Sequence, residues 1–247
     1  MPMIRHSQAR LPVNFLPDGK PLPGAGVIDL VRRETDTILM SFSCGKDSIA
    51  AWLAIRDKFP NIVPFYMQLI PDLEFVDESL AYYEKAFGCK ILKLLHPSLY
   101  RMLNYAVWQP PDRLRFLDAA NIPMFDYDML NEMIIEDQGL PDHTFVCAGV
   151  RAADSPNRRS AINQYGAINW KRRYFYPVWD MVKDELISLI SSSGIKLPVD
   201  YRLFGRSFDG IDYRFLKPLK DNFPRDYQRI LEWFPLAELE LMRYENE

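Results

Sequence analysis

A chain of 247 residues that is 48% hydrophobic and 13% aromatic is long and apolar enough for one large α/β domain with a substantial core, which excludes a disordered chain. Its 30 basic and 33 acidic residues are mixed along the sequence and leave a net charge of −3, so no global field draws it to nucleic acid or to a membrane. Cys44, Cys89 and Cys147 are odd in number and lack the paired spacing of a zinc site or a disulfide framework, so a reducing cytoplasmic setting without structural zinc is expected. The first residues lack an apolar stretch of signal-peptide length, and no uninterrupted apolar run is long enough to span a bilayer.

Residues 1–34 are rich in Pro and Gly and are expected to form an irregular arm, with a short helix at Val27 to Arg33. The regular fold is expected over residues 35–200. Thr37 to Phe42 is a short apolar run that reads as a buried strand, and Ser48 to Phe59 carries Ile49, Trp52, Leu53 and Ile55 at helical spacing. Ile62 to Ile70 reads as a second strand, Asp77 to Phe87 as a helix stopped by Gly88, and Lys90 to Leu95 as a third strand. After a helical and loop-rich stretch, Phe145 to Val150 and Tyr174 to Val178 read as a fourth and a fifth strand, and Asp184 to Ser192 as a helix. Alternating strands and helices predict an α/β fold, a parallel twisted sheet with helices on both faces. Residues 201–247 read as a helical extension, with helices at Arg225 to Trp233 and Leu236 to Tyr244, suited to a protein partner or a homodimer contact.

The segment between the first strand and the first helix carries the chemistry. In a parallel sheet, ligands collect beyond the carboxyl ends of strands, where the amides and dipole of the next helix favour an anion. Gly45 permits close backbone approach, Ser41, Ser43 and Ser48 offer hydroxyls, Lys46 places a compact positive charge, and Asp47 can cap the helix or help hold a metal. An ordinary turn with a helix cap is the plain alternative. The Walker A pattern is missing. Ser43-Cys44-Gly45-Lys46-Asp47-Ser48, placed between strand and helix, instead resembles the PP-loop of the adenine nucleotide α-hydrolase superfamily, whose members cleave ATP between the α and β phosphates. Cys44 stands where the commoner version has glycine, a departure similar to the sulfate adenylyltransferase and phosphoadenosine phosphosulfate reductase branch.

Further segments extend the resemblance across about residues 35–200. Asp72, in Pro71-Asp72-Leu73-Glu74-Phe75, lies where that branch carries an Asp able to position magnesium or a nucleophile. Gly149-Val150-Arg151-Ala152-Ala153-Asp154-Ser155-Pro156-Asn157-Arg158-Arg159 resembles the family's Gly-x-Arg-x-x-Glu-Ser segment, with Asp154 in place of Glu. Tyr176 to Glu185 is similar to the family's later Pro-aliphatic-x-Asp-Trp stretch.

The resemblance implies a Rossmann-like fold, ATP with Mg²⁺ near Asp47 and Asp72, and Lys46, Asp47, Asp72 and Arg151 as the catalytic group. It implies cofactor contacts from Ser41, Ser43, Cys44, Gly45, Ser48, Met67, Gly149, Arg158, Arg159, Lys171 and Arg172. No iron–sulfur cluster is expected. The reductases take the sulfonyl group on a late cysteine, whereas Cys147 is the last one here and Gly205 to Gly210 holds no thiol. Adenylyl transfer to an unidentified acceptor is therefore the leading expectation. The alternatives are sulfonucleotide reduction and a non-catalytic nucleotide-binding subunit of a nucleic-acid modification system. Nucleic-acid contact through the basic, aromatic cluster around Asn169 to Tyr174 is not favoured, and no membrane partner is expected.

Overall fold

The computed structural model describes residues 14–245; the first part of the expected arm lies outside them. Six strands form one sheet in the order β3-β2-β1-β4-β6-β5. These are β1 (Thr37–Ser41), β2 (Asn61–Gln68), β3 (Leu92–Leu95), β4 (Phe145–Ala148), β5 (Ile168–Asn169) and β6 (Tyr174–Phe175). All neighbours are parallel except β5 and β6, so the expected parallel sheet is present with one short antiparallel edge strand that the sequence reading lacks.

Period-two alternation divides the side chains between two cores. Ile38, Met40, Tyr66, Phe145 and Cys147 face the larger core, while Leu39, Phe65 and Val146 face the smaller one. Helix α1 (Gly24–Glu34), α2 (Lys46–Ile55) and α3 (Glu74–Phe87) contribute to the larger core. After β3 come α4 (Pro97–Asn104), α5 (Pro111–Ala120) and α6 (Tyr127–Asp137), and Leu130, Ile134 and Ile135 of α6 cover the second face. Pro64 is tolerated within β2 because the ladder to β3 starts only at Phe65, leaving its missing N–H on an unpaired side.

The chain continues through α7 (Pro156–Tyr165), α8 (Lys183–Ser193), α9 (Val199–Phe204), α10 (Tyr213–Asn222), α11 (Pro224–Trp233) and α12 (Glu238–Glu245). Helices α9 and α10 go beyond the sequence reading. Phe208, Phe215, Leu219, Tyr227 and Ile230 of this late region are buried in the same core as the sheet. The late helices also repair a local defect in α3. Its N-cap is Leu73, which has no side-chain acceptor, and α11 supplies one: Asp226 accepts from the amides of Glu74 at 2.6 Å and Phe75 at 3.1 Å. At the other end of the chain, Asn14 accepts from Trp170 Nε1 at 2.8 Å and donates to the carbonyls of Tyr165 and Ile168, pinning the arm beside β5.

Replacing Asp226 by Ala leaves two first-turn amides of α3 without acceptors and is expected to cost about 2 kcal/mol. Urea unfolding measures this, and Asp226→Asn should restore part of the loss.

Candidate functional site

The sheet order creates a crevice. From β1 the chain moves through β2 to β3 on one side, then crosses back to place β4 on the other side of β1. Such a reversal leaves open space beyond the carboxyl ends of the two strands flanking it. The segment after β1 is Phe42 to Ser48, and the segment after β4 is Gly149 to Arg159. The two segments singled out by sequence therefore meet at the switch point.

Within the first segment, hydroxyls fold the loop. Ser48 Oγ donates to the Gly45 carbonyl at 2.8 Å and accepts from Ser43 N at 3.2 Å, and Ser43 Oγ accepts from Gly45 N at 3.4 Å. Ser48 and Gly45 are buried; Ser43 is exposed. Cys44 sits in the left-handed region at φ 57°, a conformation that costs an L-residue strain and that glycine adopts freely. This explains physically why glycine suits that position.

Gly45 caps α2 without a side-chain acceptor, so the helix presents its first amides to the crevice. One of them is occupied by the protein itself: Lys46 N donates to the Tyr201 hydroxyl, 2.8 Å away. Lys46 Nζ bonds Asp47 Oδ2 at 2.6 Å, holding the ammonium beside the loop.

The second segment braces the first. A Cβ on Gly149, expected as a cofactor contact, would lie 2.5 Å from the Asp47 carbonyl carbon and 2.6 Å from Ser48 N, so the space its missing side chain leaves is taken by the close passage of α2. Arg151 is buried, with Nε 2.5 Å from Asp47 Oδ1, Nη2 2.9 Å from Asp154 Oδ1, and Nη1 donating to the Met181 carbonyl. The Nε and Oδ1 atoms, each buried without a well-angled hydrogen bond, compensate each other as an ion pair. Arg151, expected in the catalytic group, is turned inward onto Asp47 and Asp154 and holds the Asp47 carboxylate in place. Asp154 also accepts from Arg158, which is half exposed. Arg159 is exposed and, among the described residues, makes no side-chain hydrogen bond or ion pair.

Other expected residues lie elsewhere. Asp72, exposed and left-handed at φ 59°, borders a cleft with Arg225 and Arg229 of α11. Lys171 and Arg172 precede β6, beside Thr144 at the amino end of β4, so the length of the strands separates them from the loop; Arg172 holds Asp128 in a bidentate pair at 2.7 Å. Among the described residues no group of three potential ligands could hold a metal. Asp47 is engaged by both Lys46 and Arg151 and Asp72 stands in another cleft, so the two carboxylates expected to share a magnesium ion are not brought together.

Beside the loop lies a cavity of about 250 Å³. Its walls include Ser41, Ser43 and Met67 from the expected set, together with Tyr66, His96 and the Ser207 to Ile211 segment. Asp200 fixes that last segment by accepting from Phe208 N at 2.9 Å; burial pushes its carboxyl up, against the pull of that bond. His96 was readable in principle, since it directly follows a predicted strand, whereas Tyr201 and Ser207 carry no local pattern that ties them to the loop.

No protein-family model matches the chain, and no curated protein matches it. Among solved structures it is similar to an NH3-dependent NAD synthetase from Campylobacter jejuni subsp. jejuni NCTC 11168 in complex with the nitrate ion. That match has 12% identity, covers 89% of this chain and 92% of the other, and has a TM-score of 0.44.

Two measurements follow. Gly149→Ala forces a methyl group into the backbone of Asp47 and Ser48 and should destabilise the protein by at least ~2 kcal/mol in urea unfolding. Burial pushes the thiols of Cys44 and Cys147 well up, with Asp200 adding to the effect at Cys44. A thiol reagent at neutral pH should therefore label the partly exposed Cys89 in native protein and reach the other two only on unfolding.

Proposed function

We propose that the chain is an ATP pyrophosphatase-type enzyme of the PP-loop kind, binding an adenine nucleotide with its phosphates against Ser43 to Ser48. The supporting observation is the position of that loop: it lies at the carboxyl end of β1, at the switch point, with the opening amides of α2 behind it. Anions gather at such a place because backbone donors and the helix dipole both favour negative charge. Lys46 adds a cation that Asp47 holds close to the loop.

In the proposed reaction an acceptor oxygen attacks the α-phosphorus, the bond from that phosphorus to the bridging oxygen breaks, and pyrophosphate carries away the electron pair. The loop amides and Lys46 would stabilise charge on the departing phosphates. Arg151 acts through Asp47: by fixing one carboxylate oxygen it leaves the other for Lys46. A thiol-based reductase is less well supported, because burial of Cys44 disfavours the thiolate that must attack sulfur, and Cys89 precedes β3 at the amino end of the sheet, away from the loop.

Incubation with ATP labelled at the α position, in the presence of sulfate, nucleic acid or cell extract, tests the reaction. AMP or an adenylylated product together with pyrophosphate is expected; ATP that binds without turnover under every condition would make the chain a binding module.

Tyr201 gives a sharper test of the loop. Its hydroxyl occupies an amide that a phosphate oxygen would take, so removing it lowers the cost of binding by about one neutral hydrogen bond. Tyr201→Phe is expected to tighten ATP binding roughly threefold by calorimetry. Weaker binding would mean that the hydroxyl contacts the bound phosphate instead of competing with it.

A further inference from the structure

Basic side chains collect in one part of the chain that the phosphate loop does not use. From Ser155 to Trp179 the sequence holds five Lys or Arg residues and no Asp or Glu, in a chain whose net charge is −3. The global balance therefore conceals a local excess of positive charge. A polyanion responds to that local excess, because charges beyond about 10 Å are largely screened at moderate salt.

The fold gathers this stretch along the β5 edge of the sheet. Helix α7 packs on β5 and on the turn that follows it: Ala161, Ile162 and Tyr165 share a cleft of about 340 Å³ with Ile168, Trp170 and Tyr176. Arg158 stands in the first turn of α7, after the carboxyl end of β4, whereas Lys171 to Arg173 lie at the amino end of β6, which runs parallel to β4. The cations thus span the edge from one end of the strands to the other. Burial pushes the Tyr176 hydroxyl up while Arg172 and Arg158 pull it down, so both guanidiniums lie within electrostatic reach of that ring.

Opposing carboxylates are few. Asp154 is taken up by Arg151 and Arg158, and Asp128 by Arg172. Glu132 shares a cleft with Lys171 to Arg173. Arg159 and Lys171 are exposed and make no ion pair among the described residues, and Arg173 donates to the Asp142 backbone carbonyl, which leaves its charge unneutralised.

Rings and amides stand among these cations. Tyr165 is 65% exposed, so one ring is open to a partner. Trp170 is fixed by its Nε1 bond to Asn14 and by an edge-on contact with Phe145. Asn157, Asn163 and Gln164 of α7 are exposed and make no side-chain hydrogen bond among the described residues.

We infer that this edge is a docking surface for single-stranded RNA, with backbone phosphates on Arg159, Lys171 and Arg173 and an unpaired base stacked on Tyr165. Cations alone suit any polyanion, but the open ring calls for a base with a free face, which a duplex does not offer. The amides both donate and accept, as does the ribose 2′-hydroxyl that DNA lacks. RNA held here leaves the phosphate loop open, so docking does not depend on the proposed reaction.

The test is fluorescence anisotropy of the full chain with a labelled oligouridylate about ten nucleotides long, which offers no adenine to the loop. With three unpaired cations, log K should fall against log salt with a slope of about −2, and Arg159→Gln and Lys171→Gln should each reduce that slope by about 0.7. Tyr165→Ala should weaken binding at least ~fivefold with the slope unchanged, and Tyr165→Phe, which keeps the ring, should bind like the parent. Saturating ATP at matched ionic strength should leave the RNA bound, and oligodeoxyuridylate should bind roughly threefold more weakly, the worth of one neutral hydrogen bond.

Absence of binding, displacement by ATP, or indifference to Arg159→Gln, Lys171→Gln and Tyr165→Ala together overturns the assignment. Polyglutamate of equal charge that binds as tightly as the RNA would make this a surface for an acidic protein, and equal binding of the deoxy strand would remove the ribose from recognition; each overturns the choice of RNA. Should Tyr165→Ala melt early, the two charge variants carry the test, since the side chains of Arg159 and Lys171 make no hydrogen bond or ion pair among the described residues.

Discussion

The contact on which the site depends is the passage of the β4 exit against the first turn of α2. Only a residue without a side chain fits there, because Gly149 meets the backbone of Asp47 and Ser48 directly. That closeness lets Arg151 reach Asp47 and lets Asp47 hold Lys46. A gap of even one methyl group would separate the loop from its brace. The sequence of dependence runs from a missing Cβ to the placement of a cation.

The remaining boundary of the site comes from the far end of the chain. Asp226 completes α3, Asp200 holds Phe208, and the Tyr201 hydroxyl rests on the α2 amide. Asp226 and Tyr201 join late helices to the first turns of α3 and α2, while Asp200 ties the loop after α9 back to its own helix. Burial of Phe215, Leu219 and Ile230 in the sheet's own core supplies the apolar adhesion that holds these contacts in register. The late helices act in the site as walls and fasteners.

How much could be read from sequence follows from the range of each interaction. The strand, loop and helix from Thr37 to Ile55 are legible because an apolar run, a Gly/Ser-rich turn and helical spacing are all local. The Gly149 to Arg159 segment is legible for the same reason, but not its use: Arg151 looks like a ligand-binding cation until the fold turns it inward onto Asp47 and Asp154. Lys171 and Arg172 show the limit most plainly, since a basic run beside a strand does not reveal which end of the sheet it occupies. The two-residue strand β5 is too short to have a pattern, and Tyr201 meets the loop only through tertiary structure.

The fastening of the loop by late residues also bears on the order in which the protein becomes competent during synthesis. A nascent chain that has emerged only through β6 contains every strand and both motif segments. It still lacks the Ser207 to Ile211 wall and the carboxylate that caps α3. Ligand occupancy would thus be withheld until the last quarter of the polypeptide had docked, making the site a checkpoint on completed folding.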